Sequence, residues 1–177
     1  MKLTAPLRSS LSALKCGDTV YLSGTIFTAR DMAHLRIRDI LASGGNCPFP
    51  LKDQVIYYCG PSPAPPGRPA GSAGPTTAKR MDRLTVPVLE GGVKGVIGKG
   101  PRHPDIADAL KTHRAVYLIA PGGCGALLSG CIRKCDPVAF QDLGPEAVYR
   151  LEVVDMPLVV GIDVSGNDIY RRMSDVG

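Results

Sequence analysis

Short β-forming runs alternate with helical runs through the middle of this chain, and runs of strand-formers stand at both ends. That pattern constrains the fold more than any composition figure, because alternation calls for a sheet with helices packed on it. Residues 19–28 are rich in β-formers and read as a strand. Residues 30–42 read as a helix with Ala33, Ile37, Ile40 and Leu41 on its buried face, stopped by Gly44 and Gly45. Arg30, His34 and Arg38 then form a polar stripe beside that face. Residues 55–59 read as a short buried strand, 94–97 as a strand, and 104–113 as a helix with Ile106, Ala109 and Leu110 inward. Beyond them come a strand over 115–120, a helix over 125–134 and a strand over 138–141. Residues 148–154 and 158–164 are expected as two antiparallel strands, with a turn at Ser165-Gly166-Asn167 beyond them. The expectation is a mixed α/β fold in one domain spanning residues 1–177.

Residues 60–75 interrupt this pattern with a Pro- and Gly-rich stretch too long for a tight turn, and loops of that kind are often functional. It runs into Gly71-Ser72-Ala73-Gly74-Pro75-Thr76-Thr77-Ala78-Lys79-Arg80-Met81-Asp82. Pro75 suits a first helical position, so a helix is expected from there, broken and restarted near Pro87. On such a helix Thr76 and Arg80 share one face. A hydroxyl beside a guanidinium at a helix N-terminus suits a carboxylate or phosphate, although the same residues also serve as a plain helix cap.

Gly98-Lys99-Gly100 follows a strand, where open α/β sheets commonly place ligands, and Lys99 offers a point charge to an anion. A phosphate-binding P-loop is excluded: the motif needs glycine where Val93 stands and Ser or Thr where Gly100 stands. The dinucleotide fingerprint fails at His103. Arg30, Asp31 and His34 open the first helix; Asp31 suits the helix dipole, whereas Arg30 belongs there only if it meets an anion. Cys124, Cys131 and Cys135 would lie on or beside the 125–134 helix, and none of the six cysteines forms a C-x-x-C pair, so a zinc site is disfavoured.

A net charge of +5 and a pI near 9.0 suggest nucleic acid, but the cations are scattered and aromatic residues are few. A positive pocket for a small acid explains the charge equally well. No apolar stretch approaches the roughly 20 residues of a membrane helix, and the first residues lack a signal-peptide core. The chain is expected in the cytoplasm with reduced thiols.

Five motifs occur in order: Arg30-Asp31-Met32-Ala33-His34, Tyr57-Tyr58-Cys59-Gly60-Pro61, Gly71 through Thr77, Arg80-Met81-Asp82, and Gly98-Lys99-Gly100. With Glu146-Ala147-Val148-Tyr149 and Val154-Asp155-Met156-Pro157, they resemble the C-terminal domain, or separate β subunit, of the class I fumarases and L(+)-tartrate dehydratases. That resemblance implies a swivelling β/β/α domain. It also implies an oxygen-sensitive [4Fe–4S] hydro-lyase acting on a small dicarboxylic acid, most simply fumarate to L-malate. The cluster, a Lewis acid toward the substrate hydroxyl, is implied to be held by a partner α subunit in an α2β2 assembly, with no metal ligand here. Carried onto this chain, Arg30, Arg80 and Lys99 are implied as substrate-carboxylate ligands and Thr76 as the catalytic acid/base. The alternatives left open are an L(+)-tartrate dehydratase β subunit and a stand-alone, non-catalytic anion-binding domain.

Overall fold

The computed structural model describes residues 1–174. Its strands are β1 (Lys2–Ala5), β2 (Thr19–Thr28), β3 (Val55–Tyr57), β4 (Gly95–Gly98), β5 (Val116–Ile119), β6 (Ile132–Ala139) and β7 (Val148–Ile162). Its helices are α1 (Asp31–Ala42), α2 (Asp82–Glu90), α3 (Pro104–His113), α4 (Gly125–Ser129) and α5 (Ile169–Ser174), with 3-10 turns at Ala78–Met81 and Gln141–Glu146. No helix among the described residues is long and apolar enough to cross a membrane.

The strands form one sheet in the order β1-β2-β3-β4-β5-β7-β6, and β2 pairs with β7 as well. That extra pairing closes β2, β3, β4, β5 and β7 into a small barrel-like ring. Pairs β1–β2, β2–β3, β3–β4 and β4–β5 are parallel, whereas β7 runs antiparallel to β2, β5 and β6. Side chains that alternate along a strand face opposite sides of a sheet, and along β3, β4 and β5 both sides are buried. Leu22, Ile26, Tyr57, Ile97, Leu118, Leu151 and Val160 belong to one apolar cluster, which fills the ring. Ile56, Tyr58, Val96 and Tyr117, their neighbours on the same strands, join Ile37, Leu89 and Leu110 from α1, α2 and α3 in a second. Strands covered on both faces read as continuous apolar runs, which is why β3 and β5 stand out in the sequence.

Several boundaries differ from expectation, each for a physical reason. The two C-terminal strands are one 15-residue strand, β7. Pro157 does not end it, because β6 pairs with β7 only up to Val153 and β5 only from Val159. At Pro157 β2 is the partner strand, so the missing N–H faces an unpaired edge. A register shift between Leu22 and Gly24 takes up the extra residue near Asp155, whose N–H donates to Ser23 Oγ at 2.9 Å.

The helix expected over 125–134 stops at Ser129, since Ile132 onward pairs with β7; Cys131 and Cys135 therefore share no helix face. β6 carries Pro137 because it is an edge strand, bonded to β7 alone. The helix expected from Pro75 starts three residues later and is not broken at Pro87. Residues 75–77 stay extended, and helical backbone begins at Ala78 and continues through α2 with Pro87 inside it. On α1, His34 is buried with Ala33 and Ile37 rather than standing in a polar stripe, and Ile40 and Leu41 are only partly covered.

Gly24 holds the junction where β1, β2 and the β7 bulge meet. Its φ is +106°, and a Cβ there would lie 2.2 Å from the Ala5 carbonyl oxygen. Gly24→Ala should therefore lower unfolding stability by about 2–4 kcal/mol, read as a lower urea midpoint at unchanged slope. A midpoint within error of the parent would show that β1 can move aside without loss.

Candidate active site

Parallel strands deliver their C-terminal ends to one edge of the ring, and that edge gathers the polar groups. Arg30 follows β2, Cys59 and Gly60 follow β3, Lys99 follows β4, and Pro121 and Gly122 follow β5.

Arg30 sits at the N-cap of α1 with extended backbone. Its guanidinium lies 3.9 Å from Asp31 and 3.6 Å from Glu146. Glu146 also accepts the Met32 N–H at 3.0 Å, the placement that the positive end of a helix dipole favours. Gly60 makes room for this arrangement: a Cβ there would lie 2.6 Å from the Pro145 carbonyl oxygen and 3.1 Å from Arg30 Cδ. Arg80, on the 3-10 turn, donates to the same Asp31 carboxylate at 2.7 Å. One carboxylate thus links two cations from distant segments. Their side chains remain open to solvent, Arg30 to 28% and Arg80 to 55%.

Thr76 and Lys99 form a second group, joined through the backbone. The Thr76 N–H donates to the Tyr58 carbonyl at 2.6 Å, the Lys99 N–H to the Thr76 carbonyl at 3.2 Å, and the Ala78 N–H to the Lys99 carbonyl at 2.9 Å. These bonds keep residues 75–77 extended: pairing between the ends of β3 and β4 outcompetes the local helix signal. Thr76 and Arg80 consequently do not share a helix face. The Lys99 stem runs past Gly122, where a Cβ would lie 3.6 Å from Lys99 Cδ. Both Thr76 and Lys99 are half-buried.

The 60–75 loop that leads here is tied at its base and open at its tip. Ser62 and Gly71–Ser72 exchange backbone hydrogen bonds, the Tyr57 hydroxyl donates to the Ala73 carbonyl at 2.6 Å, and residues 62–69 are exposed.

His34 lies beneath Arg30. A carbonyl only accepts, so its Nδ1, 3.0 Å from the Arg30 carbonyl, carries the proton. Nε2 is buried without a hydrogen-bond partner, and the ring meets Tyr58 edge-on at 5.4 Å. Burial lowers its pKa to about 4, with the Arg30 carbonyl and Asp31 opposing the shift. His34 is thus a neutral structural group under the arginine.

The Arg102 side chain is 0% exposed and paired with Asp82. It stands between Pro101 and His103, and nothing in that local pattern marks it as buried.

None of the six cysteines is in a disulfide. Burial pushes the Cys59 thiol up to about 12, only partly countered by Arg30, so it is no ready thiolate ligand. Among the described residues no three His, Cys, Asp or Glu side chains are grouped to hold a metal ion. The residues present do not fit an iron–sulfur cluster.

Residues 1–173 match the family model described as Fumarase C-terminus, and this chain belongs to that family. It is 39% identical over 173 residues to a Methanocaldococcus jannaschii protein provisionally named an L(+)-tartrate dehydratase subunit beta, covering 94% of this chain and 89% of that one. It is 37% identical over 177 residues to the anaerobic class I fumarate hydratase of Escherichia coli K12, covering 97% of this chain and 32% of the relative. The L(+)-tartrate dehydratase subunit beta of the same bacterium is 32% identical over 176 residues, covering 96% of this chain and 86% of its own length. The chain therefore spans about a third of that fumarate hydratase and most of the two β subunits.

His34 should leave a signature in acid. Its folded pKa of about 4 lies below the unfolded value of 6.5, so between these pH values the unfolded chain binds more protons. Its contribution is fully present above pH 6.5 and is lost as pH falls toward 4, to a limit of about 3 kcal/mol. His34→Asn, which keeps a donor for the Arg30 carbonyl, should flatten the fall in Tm between pH 7 and 4.5. Equal falls in variant and parent would show that His34 does not carry the acid sensitivity.

Proposed function

We propose that this chain is the β subunit of a two-subunit [4Fe–4S] hydro-lyase of the cytoplasm, acting as one domain that supplies carboxylate ligands and a proton-handling hydroxyl. What supports this reading is that three segments, following β2, β3 and β4, set Arg30 and Arg80 on either side of the Asp31 carboxylate and bond the Thr76 backbone to that of Lys99. A dicarboxylate needs cations at both ends, and arginine forks match carboxylate geometry. The relatives' names make fumarate the first substrate to test. The cluster is assigned to an α subunit in an α2β2 assembly, where it would act as Lewis acid toward the substrate hydroxyl.

Hydration of fumarate adds a hydroxyl to one carbon and a proton to the other. Negative charge develops on the carbon that takes the proton and spreads into the adjoining carboxylate. Arg30, Arg80 and Lys99 hold the carboxylates and stabilise that charge, which is an electrostatic contribution to the transition state. Thr76 Oγ exchanges the proton with that carbon. An alcohol is a poor base at neutral pH, so a partner group must relay the proton onward.

A second reading, an L(+)-tartrate dehydratase β subunit, is favoured by the match along most of both named β subunits. Tartrate also presents two carboxylates, so the same cations suit it.

Anaerobic co-purification of this chain with its partner, assayed for iron, sulfide and loss of fumarate ultraviolet absorbance with tartrate alongside, tests these readings. An iron–sulfur partner and turnover of one acid are expected. Recovery of no iron protein and reaction of neither acid would leave a stand-alone anion-binding domain instead. In the assembled enzyme Arg80→Ala should lower kcat/KM by about a hundredfold or more. Thr76→Ala should act mainly on kcat, and full activity in that variant would rule out proton transfer by Thr76.

A further inference from the structure

Arg102 is three residues beyond Lys99, yet its side chain turns inward and is wholly buried. Nε donates to Asp82 Oδ1, and Nη2 donates to Thr85 Oγ1 at 2.7 Å. The other Asp82 oxygen accepts the His103 N–H at 2.9 Å. The guanidinium lies 5.1 Å from the Tyr117 ring centroid and 5.6 Å from that of Tyr58. Nη1 has no hydrogen-bond partner, so the aromatic faces provide its remaining electrostatic support.

Each group that Arg102 touches leads to a different part of the site. Asp82 opens α2 two residues after Arg80. Tyr117 donates its hydroxyl to the Gly100 carbonyl at 2.8 Å, holding the residue next to Lys99. Tyr58 shares a hydrogen bond with Thr85 at 2.8 Å, and its own carbonyl receives the Thr76 N–H.

We propose that Arg102, with Asp82, is the positioning residue that fixes Thr76, Arg80 and Lys99 relative to one another. It touches no substrate, and its effect passes through the backbone at residues 58, 82 and 100. The inference rests on reading Arg80 and Lys99 as carboxylate ligands. A lysine could not replace Arg102, because an ammonium lacks the planar fork whose Nε and Nη2 bond Asp82 and Thr85 together.

Removing one partner of a buried ion pair destabilises a fold, whereas replacing both by apolar groups is often neutral. The test therefore uses the double variant Arg102→Met/Asp82→Leu, with Arg102→Lys as a second variant should the double variant fail to fold. Amide hydrogen exchange on the full chain reads Thr76, Ala78 and Lys99 against the amides of β4 and β5. Steady-state kinetics with the partner subunit reads KM and kcat. Exchange at the three site amides should rise about tenfold or more with β4 and β5 unchanged, and KM should rise by a similar factor. Site amides as protected as in the parent, a rise spread equally over β4 and β5, or looser site amides with a parental KM would each overturn the proposal. If the parent assembly turned over neither acid, the hydro-lyase reading would fall, and the exchange pattern would still decide whether Arg102 organises the three segments.

Discussion

The double pairing of β2, parallel to β3 on one side and antiparallel to β7 on the other, is the constraint on which the rest of the structure depends. It turns an open sheet into a ring, so the inner core is built mainly by strand side chains, with Leu128 of α4 and residues of the flanking loops beside them. The helices then cover the outer face and bury a second apolar layer. Because β2, β3, β4 and β5 run the same way, their following loops emerge at one edge. The site is a consequence of that parallel run. It needs no pocket carved into the core, only four loops that start from adjacent strand ends.

Charge is arranged in two tiers at that edge. The outer tier is Arg30, Arg80 and Lys99, partly open to solvent and satisfied in part by Asp31 and Glu146. The inner tier is Arg102 with Asp82, closed off from water and framed by tyrosines. Burial weighs against the inner guanidinium's charge, but Tyr58, Asp82 and Tyr117 outweigh it and hold its pKa above the ordinary value. An inner cation that stays charged is a fixed post for the outer ones, whereas a group that titrated near neutrality would not be.

Much of this was readable wherever local and tertiary demands agree. The β2 and α3 runs were legible because their apolar spacing, caps and turn residues all point the same way. Misreadings cluster where long-range hydrogen bonds overrule local preference. Pro75 announces a helix, but the Tyr58 carbonyl and the Lys99 backbone claim residues 76–78. Pro157 announces a break, but the edge it needs happens to be vacant. Lys99 stands out between two glycines, Arg30 at a helix start, and Thr76 and Arg80 after the Gly- and Pro-rich loop, and the family resemblance groups all four. Local pattern alone does not, because Asp31 joins Arg30 to Arg80 through space. Arg102 carries no local mark and His34 reads as part of a polar stripe for the same reason: a polar residue's burial is decided by partners far along the chain.

Asp31 stands between the two arginines, so neither is bare in the empty site. Under the proposed reading, a dicarboxylate that bound there would trade places with an internal counter-ion rather than meet naked charge. A resident anion of this kind would level the energies of the filled and empty states, and that levelling would favour release over retention.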